Sequence, residues 1–404
     1  MTSYVLIATW NCIIMEWTDN MYVIKDDAMK IPLKVFSTEG SIEPQCIEQM
    51  KKIAQLPFAF HHLALMPDGH LGIGASIGAV IALKNVVIPG LVGLDIGCGM
   101  SAVKTSHTNI DTDSIKTIMG EIRKVIPVGF AHQKEKQEWS GFDSAPDISI
   151  IQKELTSARS QLGTLGSGNH FVEIQKGNDN HIWVMLHSGS RNFGLKVATE
   201  YHKKAQALCD KWASNIPDKD LAFLPLDTVE GQEYLTAMNY CLDFAFANRA
   251  LMMDRIMDVV FATTFGLELD RVNIHHNYAI MEHHFGQNLL VHRKGATKAS
   301  LGLRGIIPGS MGTKSYITEG LGNADSFESS SHGAGRRMGR KEAGRTLNLE
   351  EEQNKMAGIV HGLRSIQDLD EAPGAYKSID VVMENQKDLV KAIVELTPLG
   401  SIKG

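Results

Sequence analysis

Glycine is concentrated in four segments of the chain, and this distribution limits where helices can form. The segments are residues 69–99, 163–168, 302–322 and 333–344. Glycine weakens a helix, but it permits tight turns and lets the backbone approach another group closely. The sequence therefore predicts turns and close backbone contacts in these segments rather than helices.

Strands and helices are predicted along the whole chain without βαβ regularity. Apolar spacing favours a strand over 31–36 and a helix over 42–54, with Ser41 as the expected N-cap. MPDGHLGIGASIGAVIAL reads as a loop and then a strand, and VVIPGLVGLDIGCGM as a buried strand entering a glycine turn. Further helices are predicted over 112–125, 148–161, 194–214, 229–265, 349–363 and 379–396. Because strands and helices mix without βαβ regularity, we expect an α+β fold. The 404 residues show no repeat and no linker-like run, so we expect a single large domain.

The first 28 residues are interpreted as an extension, and the main domain is expected to span residues 29–404. The stretch MTSYVLIATWNCIIMEW is apolar, but it has no basic region and no clean cleavage site. It is also too short and interrupted to span a membrane. An upstream, non-native start codon is one explanation for the extension, and no membrane association is expected.

The cysteines are odd in number and widely spaced. They are Cys12, Cys46, Cys98, Cys209 and Cys241. This usage is typical of a reducing compartment rather than of a disulfide framework. We therefore expect a cytoplasmic protein.

The formal net charge of −6 argues against a generally cationic surface for nucleic acid, but it is compatible with a local basic groove. Two clusters are candidates for such a groove. The first comprises Arg336, Arg337, Arg340, Lys341 and Arg345, and the second comprises His292, Arg293, Lys294 and Lys298. Solvated surface charge is the alternative for both clusters.

The string Ser-His-Gly-Ala-Gly-Arg at 331–336 places a histidine beside two glycines and an arginine. Backbone N–H groups in such a turn can approach an anion next to the imidazole, and Arg336 and Arg337 can neutralise phosphate. This arrangement suits His332 as a nucleophile toward phosphorus, which would give a phosphoramidate. A glycine-rich turn without a ligand is the alternative for the string alone.

Other strings carry candidate metal ligands beside predicted strand ends. Asp95 and Cys98 lie three residues apart on a glycine turn, and a thiolate can bridge two metal ions. Imidazoles occur in Asn169-His170, in His187-Ser-Gly-Ser-Arg191 and in His275-His276-Asn277. Each is ambiguous alone, since a structural cysteine or an ordinary histidine is the alternative, but together with His332 they predict one joint site. Cysteine and histidine favour Zn or Fe, whereas carboxylate and water positions admit Mn.

Ten strings, in this order and spacing, carry a resemblance to a known family. They are MPDGHLGIG, VGLDIGCGM, LGTLGSGNHFVEI, MLHSGSR, HHNY, RKGA, IIPGSMGTKS, SHGAGR, AYK and the terminal KG. From about Met29 to Gly404 the chain resembles the RtcB-type RNA-splicing ligases, also called 3′-phosphate RNA ligases. The resemblance implies an α+β domain built around a central di-metal site.

The resemblance also implies a reaction that uses GTP and two Mn(II) ions. RNA ending in a 3′-phosphate or 2′,3′-cyclic phosphate would be joined to RNA with a 5′-hydroxyl, in splicing or repair. His332 would attack the α-phosphate of GTP and release pyrophosphate, and the guanylate would then pass to the RNA 3′-phosphate. The 5′-hydroxyl would attack that phosphate and expel GMP. Such capping is chemically reasonable, because a phosphate monoester dianion is a poor electrophile and metal ions neutralise the charge of the reacting oxygens.

The family pattern assigns ligands and nucleotide contacts to residues of this chain. One metal would be held by Asp95, Cys98 and His170, and the second by Cys98, His187 and His276, which directly precedes the asparagine. Glu173 would accept from guanine N1 and N2, Lys403 would donate to the base carbonyl, and Tyr376 would stack on the base. The implied guanylate contacts are Asn169, His170, Phe171, Val172, Glu173, Asn277, Pro308, Gly309, Ser310, Met311, Ser315, His332, Gly333, Ala334, Gly335, Tyr376 and Lys403.

Contacts with RNA are less defined by the resemblance. Candidates for RNA phosphate or for support of the metal site are Asp68, His70, Arg191 and Arg336. Gly69 and Ile73 depart from the commoner family string MPDVHLGKG, and loss of that lysine is expected to weaken a phosphate contact. The family acts on tRNA halves and on damaged RNA, and the sequence does not choose between them or indicate an accessory protein.

Two other functions stay open on the sequence alone. A metal-dependent phosphoesterase would open cyclic-phosphate ends without GTP, and His332 would then be a ligand or an acid. A non-catalytic protein that binds RNA ends would require lost ligands, and every expected ligand is present.

Overall fold

The computed structural model describes residues 5–8, 13–18 and 20–404, with side chains from residue 20 onward. Its strands are β1 (Val5–Ala8), β2 (Ile13–Thr18), β3 (Met21–Ile24), β4 (Leu33–Val35), β5 (Ala59–His70), β6 (Ile77–Leu83), β7 (Val86–Val87), β8 (Gly99–Thr105), β9 (Phe171–Gly177), β10 (Ile182–Ser188), β11 (Leu224–Pro225), β12 (Glu268–His275), β13 (Asn277–His284), β14 (Gln287–Lys294), β15 (Ala296–Lys298), β16 (Arg304–Ile307), β17 (Ser315–Gly320), β18 (Ser329–Ser331) and β19 (Val390–Lys403). Its α-helices are α1 (Pro44–Ile53), α2 (Pro89–Val92), α3 (Thr112–Val125), α4 (Ser149–Gln161), α5 (Arg191–Lys211), α6 (Val229–Thr263), α7 (Arg340–Thr346), α8 (Leu349–Lys355) and α9 (Ile379–Glu384). The predicted single α+β domain is confirmed.

The first large sheet has the strand order β1-β2-β3-β4-β5-β6-β14-β13. Strands β4 and β5 pair in parallel, and the other neighbours pair antiparallel. Strand β3 belongs to the predicted extension, yet Tyr22 and Ile24 are buried in the core of this sheet. The start of the main domain at residue 29 stays a prediction.

The second large sheet is antiparallel, with the order β12-β8-β10-β9-β19-β17-β16. Arg304 of β16 forms an ion pair with Asp270 of β12, so the two outer strands approach each other and the sheet curls toward a barrel. The chain passes from this sheet to the first at His276, which lies between β12 and β13. A side chain at this position is therefore held by both sheets.

Helix α6 covers the second sheet and supplies much of its core. Thr228 caps the helix, because its Oγ1 accepts from the N–H of Gly231 at 3.1 Å. Met252, Met253 and Ile256 are fully buried against the apolar side chains of β8 and β10. The methionines thus serve as core filler, as the sequence predicted. Among the residues that the structure describes, no helix has the length and apolar character needed to cross a membrane.

The predicted helix over 379–396 is wrong beyond Glu384. Residues 390–403 form β19, which pairs with β9 on one side and with β17 on the other. The backbone hydrogen bonds of both neighbours outweigh the helical spacing of the apolar residues. The last strand therefore lies inside the second sheet, between β9 and β17.

Smaller corrections concern helix and strand ends. Ser41 is not an N-cap, since α1 begins at Pro44 and the Ser41 hydroxyl donates to the carbonyl oxygen of Thr38 at 2.5 Å. The helix predicted over 349–363 ends at Lys355. The MPDGH string expected in a loop forms the end of β5, and helix α2 interrupts the strand expected in VVIPGLV.

The second predicted basic groove is also wrong. His292, Arg293 and Lys294 are buried, and the Arg293 guanidinium donates to both carboxylate oxygens of Glu282 at 2.8 and 2.9 Å. Leu290 and Val291 of the same strand lie in two different hydrophobic cores, so both faces of β14 are covered. These residues therefore hold the fold together.

Candidate functional site

The five predicted metal ligands come from four separate chain segments and meet where the two sheets join. Asp95 and Cys98 lie on the turn between α2 and β8. His170 directly precedes β9, and His187 lies near the end of the neighbouring β10. The N–H of His276 donates to the carbonyl oxygen of Cys98 at 2.8 Å, which fixes the crossing between the sheets beside the cysteine.

The ligand atoms form two sets that share Cys98. In the first set, His170 Nε2 lies 3.2 Å from Asp95 Oδ2 and 3.5 Å from Cys98 Sγ. In the second set, His187 Nε2 lies 3.2 Å from Cys98 Sγ and 3.3 Å from His276 Nε2. Within each set all donor atoms lie within 4.8 Å of one another.

Hydrogen bonds on the far side of two imidazoles orient their donor atoms. His170 Nδ1 lies 2.9 Å from the carbonyl oxygen of Leu165, and His187 Nδ1 lies 2.9 Å from that of Asn169. A carbonyl accepts only from N–H, so both Nδ1 atoms carry the proton and both Nε2 atoms present a lone pair to the site. His276 Nδ1 is buried and has no partner among the described residues.

The donor sets fit metal ions. Metal bonds of about 2.0–2.3 Å keep ligand atoms about 3–4 Å apart around one ion, as the spacings here require. Burial lowers the pKa of His187 and His276 well below the usual range, which keeps both imidazoles neutral. Burial also raises the pKa of the Cys98 thiol, and a bound cation would reverse that effect. The two groups of donor atoms are therefore candidates for metal binding, and Cys98 belongs to both.

His332 lies beside the second set. Its ring centroid is 4.8 Å from that of His276. Its Nδ1 lies 2.5 Å from Oδ2 of Asp68, which also accepts from the His332 backbone N–H at 3.1 Å. Asp68 is fully buried, so it fixes both the ring orientation and the proton on Nδ1, leaving the Nε2 lone pair free.

The SHGAGR turn approaches the end of β5 as closely as its glycines predict. Gly335 has φ +71°, and a Cβ there would lie 2.2 Å from the carbonyl oxygen of Asp68. Only glycine fits this position. His70 also lies here, with Nδ1 at 2.9 Å from the same carbonyl oxygen.

The predicted guanine contacts Glu173 and Lys403 lie on paired strands, since Lys403 of β19 is opposite Phe171 of β9. The buried Glu173 carboxylate accepts from Ser401 Oγ at 3.1 Å and from Gln175 Nε2 at 2.8 Å. Burial raises its pKa to about 7. Lys403 Nζ lies 4.9 Å from the Phe171 ring centroid.

The remaining expected nucleotide contacts follow two loops. The loop from Pro308 to Ser315 is joined to the SHGAGR turn, since the Ala334 N–H donates to the Pro308 carbonyl oxygen at 3.0 Å. Ser315 Oγ accepts from the Gly309 N–H at 3.2 Å and from Gln175 Nε2 at 3.1 Å. These bonds connect the loop to the strand that carries Glu173. The other residues of the two loops are Ser310, Met311 and Gly333, and Val172 lies on the connected strand.

Asn277 has partners at both ends of its amide. Its Nδ2 donates to the carbonyl oxygen of Asp95 at 3.1 Å, and its Oδ1 accepts from the Gly295 N–H at 2.8 Å. The side chain therefore fixes the turn that carries the metal ligands.

Glu371 is a buried carboxylate that the sequence analysis missed. It pairs with Arg336 at 3.2 Å and with Arg340 at 2.6 Å, and it accepts from the Tyr376 hydroxyl. The Arg336 guanidinium also lies 5.2 Å from the Tyr376 ring centroid. Glu371 thus neutralises part of the positive charge of the first predicted basic cluster. No motif in the sequence indicated this acidic partner.

Asn248 and Arg249 of α6 are further buried groups that the sequence did not reveal. Arg249 Nη1 donates to the carbonyl oxygens of Gly97 and Ser188 at 2.8 and 2.9 Å, next to Cys98 and His187. Asn248 Nδ2 donates to the carbonyl oxygen of Gly189 at 3.1 Å. Helix α6 thus forms hydrogen bonds with the two turns that follow or precede the candidate ligands Cys98 and His187.

Comparison with known proteins decides the family. The family model described as tRNA-splicing ligase RtcB matches residues 49–404. The chain belongs to the RtcB family. It is 37% identical over 401 residues to the RNA-splicing ligase RtcB of Escherichia coli K12, covering 92% of this chain and 97% of that protein. It is 30% identical over 463 residues to the tRNA-splicing ligase RtcB of Thermococcus kodakarensis, covering 94% of this chain and 96% of that protein.

A further RtcB relative comes from Mycobacterium bovis. Its RNA-splicing ligase RtcB is 31% identical over 434 residues, covering 88% of this chain and all of that protein. Both ligand sets of this chain lie within the residues that the RtcB family model matches.

The two departures from the commoner RtcB string have different surroundings. At Gly69 a Cβ would lie 3.1 Å from Leu65 Cδ1 and 3.2 Å from Ile42 Cδ1, so the neighbouring packing favours glycine. Ile73 is 63% exposed, and its carbonyl oxygen accepts from the ammonium group of Lys294. Lys294 of β14 thus contacts the turn that contains Ile73. Its position in the sequence differs from that of the lysine in the commoner string MPDVHLGKG.

Proposed function

We propose that this protein is an RNA ligase that joins RNA 3′-phosphate or 2′,3′-cyclic phosphate ends to 5′-hydroxyl ends, with GTP and Mn(II). Membership of the RtcB family supports RNA as the substrate, and tRNA halves and damaged RNA are the candidate substrates. The observation that carries the proposal is the contact between the fully buried Asp68 and the half-buried His332, beside two donor sets that share Cys98.

His332 is proposed as the nucleophile toward the α-phosphate of GTP. Asp68 keeps the proton on Nδ1, so the Nε2 lone pair is available to form the bond to phosphorus while pyrophosphate leaves. The carboxylate also stabilises the positive charge that the ring gains as this bond forms. A cyclic end is first opened by water, which breaks the bond to the 2′-oxygen and leaves a 3′-phosphate. An oxygen of the RNA 3′-phosphate then displaces the histidine, and the 5′-hydroxyl oxygen loses its proton and finally displaces GMP.

The metal ligands and the proposed guanine contacts support the same reaction. Asp95, Cys98 and His170 would hold one ion, and Cys98, His187 and His276 the other. Two bound ions would supply Lewis-acid stabilisation of the charged phosphate oxygens. Glu173 and Lys403, which lie on the paired strands β9 and β19 near His170, would recognise the guanine base. The choice of Mn(II) follows from the family resemblance.

The decisive experiment is incubation with GTP labelled at the α-phosphate and Mn(II), followed by denaturing electrophoresis. We expect a labelled protein band that disappears in His332→Ala. His283→Ala is the matched control, because this exposed histidine lies at the tip of the β13–β14 hairpin and should leave labelling unchanged.

Two outcomes would contradict the proposal. Labelling that persists in His332→Ala would exclude this residue as the nucleophile. If Mn, Co and Zn all give no label, and cyclic-phosphate ends are opened without GTP, the protein is a phosphoesterase.

A further inference from the structure

Lys377, the last residue of the AYK string, is a half-buried lysine whose side chain reaches the end of β5. Its ammonium group donates to the carbonyl oxygens of Gly69 and Pro67 at 2.5 and 3.4 Å. These two carbonyl groups come directly after and directly before Asp68 in the chain. One cation therefore holds the backbone on both sides of the carboxylate that orients His332.

The backbone of Lys377 is bonded to the SHGAGR turn, which carries His332. The Lys377 N–H donates to the carbonyl oxygen of Gly335 at 2.9 Å, and the neighbouring Tyr376 pairs with Arg336 in an antiparallel bridge. The backbone of this residue thus follows one turn, while its side chain crosses to the other. Lys377 therefore joins the two segments whose side chains meet in the contact between Asp68 and His332.

Asp68 is a fully buried carboxylate with one oxygen atom that is not used. Its Oδ2 accepts from the backbone N–H and from Nδ1 of His332, whereas its Oδ1 has no hydrogen-bond partner among the described residues. A buried charge is costly unless nearby charges or dipoles compensate it. Burial lowers the pKa of Lys377, and the negative charge of Asp68 acts against this effect. The lysine thus supports Asp68 by its charge as well as through the backbone.

We propose that Lys377 is a positioning residue for the guanylylation of His332. It keeps Asp68 where Oδ2 accepts from Nδ1–H, so the lone pair stays on Nε2, which would form the bond to phosphorus as pyrophosphate leaves. Without the ammonium group, the carbonyl groups beside Asp68 lose their common donor and the carboxylate is free to turn. The ring proton is then free to move to Nε2. The inference rests on the proposed function and adds a residue that acts on His332 through Asp68.

The first test follows single-turnover labelling of the protein by GTP with Mn(II). Lys377→Met removes the ammonium group but keeps an unbranched side chain, and the labelling rate should fall about 100-fold, as a small displacement in an active site can cause. Lys377→Arg restores a cation with several N–H donors and should recover most of the rate. Lys387→Met is the matched control, because this exposed lysine pairs with Glu384 and its loss should leave the rate unchanged.

The affinity for GTP separates positioning of His332 from damage to the nucleotide site. Calorimetric titration of metal-loaded His332→Ala, with and without Lys377→Met, should give the same Kd for GTP. A large loss of affinity on addition of Lys377→Met would overturn the proposal, because the lysine would then act on the nucleotide rather than on His332.

The ring proton of His332 gives a readout that requires no GTP. Nitrogen NMR of protein with isotope-labelled histidine, loaded with diamagnetic Zn(II), distinguishes a proton on Nδ1 from one on Nε2, and His332→Ala assigns the signal. We expect the Nδ1–H form in the wild type and in Lys377→Arg, and the Nε2–H form or a mixture in Lys377→Met. An unchanged Nδ1–H form in Lys377→Met would overturn the proposal, even where labelling is slow.

The two readouts separate failure of this inference from failure of the proposed function. Labelling of Lys377→Met at the wild-type rate would overturn the positioning role while the ligase function stands. If the wild-type protein is not labelled, the proposed function fails, and the position of the ring proton in Lys377→Met still decides the role of Lys377. If Lys377→Met does not fold, Lys377→Gln takes its place, since it keeps an N–H₂ donor, loses the charge and should change both readouts in the same direction.

Discussion

Glu173 is the residue on whose charge the proposed guanine recognition depends. Only the ionised carboxylate accepts from both guanine N1–H and N2–H, and burial raises the pKa of Glu173 to about 7. At pH 6 only about a tenth of the carboxyl groups are ionised, so the Kd for GTP should be about tenfold higher than at pH 8. The measurement is calorimetric titration of metal-loaded His332→Ala with GTP, because this variant cannot form the covalent product.

Glu173→Gln provides the control for this pH dependence. The amide offers one acceptor and places an N–H₂ group toward the guanine amine, so GTP binding should be weak at both pH values and nearly independent of pH. A Kd of His332→Ala for GTP that does not change between pH 6 and pH 8 would show that binding of the guanine base does not depend on the charge of Glu173.

At the scale of the secondary-structure element, helix α6 is expected to determine how well the metal ligands are placed. Arg249→Met removes the donors to Gly97 and Ser188 while keeping the volume of the side chain. A buried carbonyl oxygen left without its donor costs about 1–3 kcal/mol, and loss of ligand support weakens metal affinity about 10–100-fold. Urea denaturation of the metal-free protein and Mn(II) titration measure the two effects.

Arg271→Met is the matched control for this substitution. Arg271 pairs with Asp254 and Glu268 at a half-exposed position, so its loss should change the free energy of unfolding by less than about 1 kcal/mol. Its Mn(II) affinity should equal that of the wild type. Equal effects of the two substitutions would exclude a special role for Arg249.

Local patterns predicted the helices better than the last strand and the buried polar groups. The apolar run of α6 was evident from the sequence, and its bounds differ from the prediction by two residues at the C-terminal end. Burial of Asn248 and Arg249 was not evident, because polar residues in a helix acquire partners only when distant turns pack against it. The helix prediction after Glu384 was wrong for a similar reason, since pairing with β9 and β17 determines the conformation of this segment.

At the scale of the whole molecule, the motifs indicated which residues form the candidate metal site but not how the fold brings them together. The ligand strings lie far apart, and their approach depends on the pairing of β8 with β10 and β12. The register between such distant strands cannot be read from the sequence. The family resemblance, in contrast, implies which residues the packing brings together. Glu371 lies outside the recognised strings, so only the three-dimensional structure reveals its partners.

Because the metal ligands come from distant segments, metal binding should stabilise the entire fold. An unfolded chain does not bring Cys98 near His187 and His276, so Mn(II) should bind the folded state preferentially. At a free concentration of 100 times Kd, one site raises the free energy of unfolding by about 2.7 kcal/mol. Urea denaturation with and without Mn(II) measures this gain.

Cys98→Ala tests the origin of that stabilisation. The variant loses the donor common to both sets, so Mn(II) should give it almost no gain in the free energy of unfolding. Cys209→Ala is the matched control, because this buried cysteine contacts the carbonyl oxygen of Phe223 away from the site and should keep the full gain. An equal gain in Cys98→Ala would mean that Mn(II) stabilises the protein from another position, and the bridging role of Cys98 would be wrong.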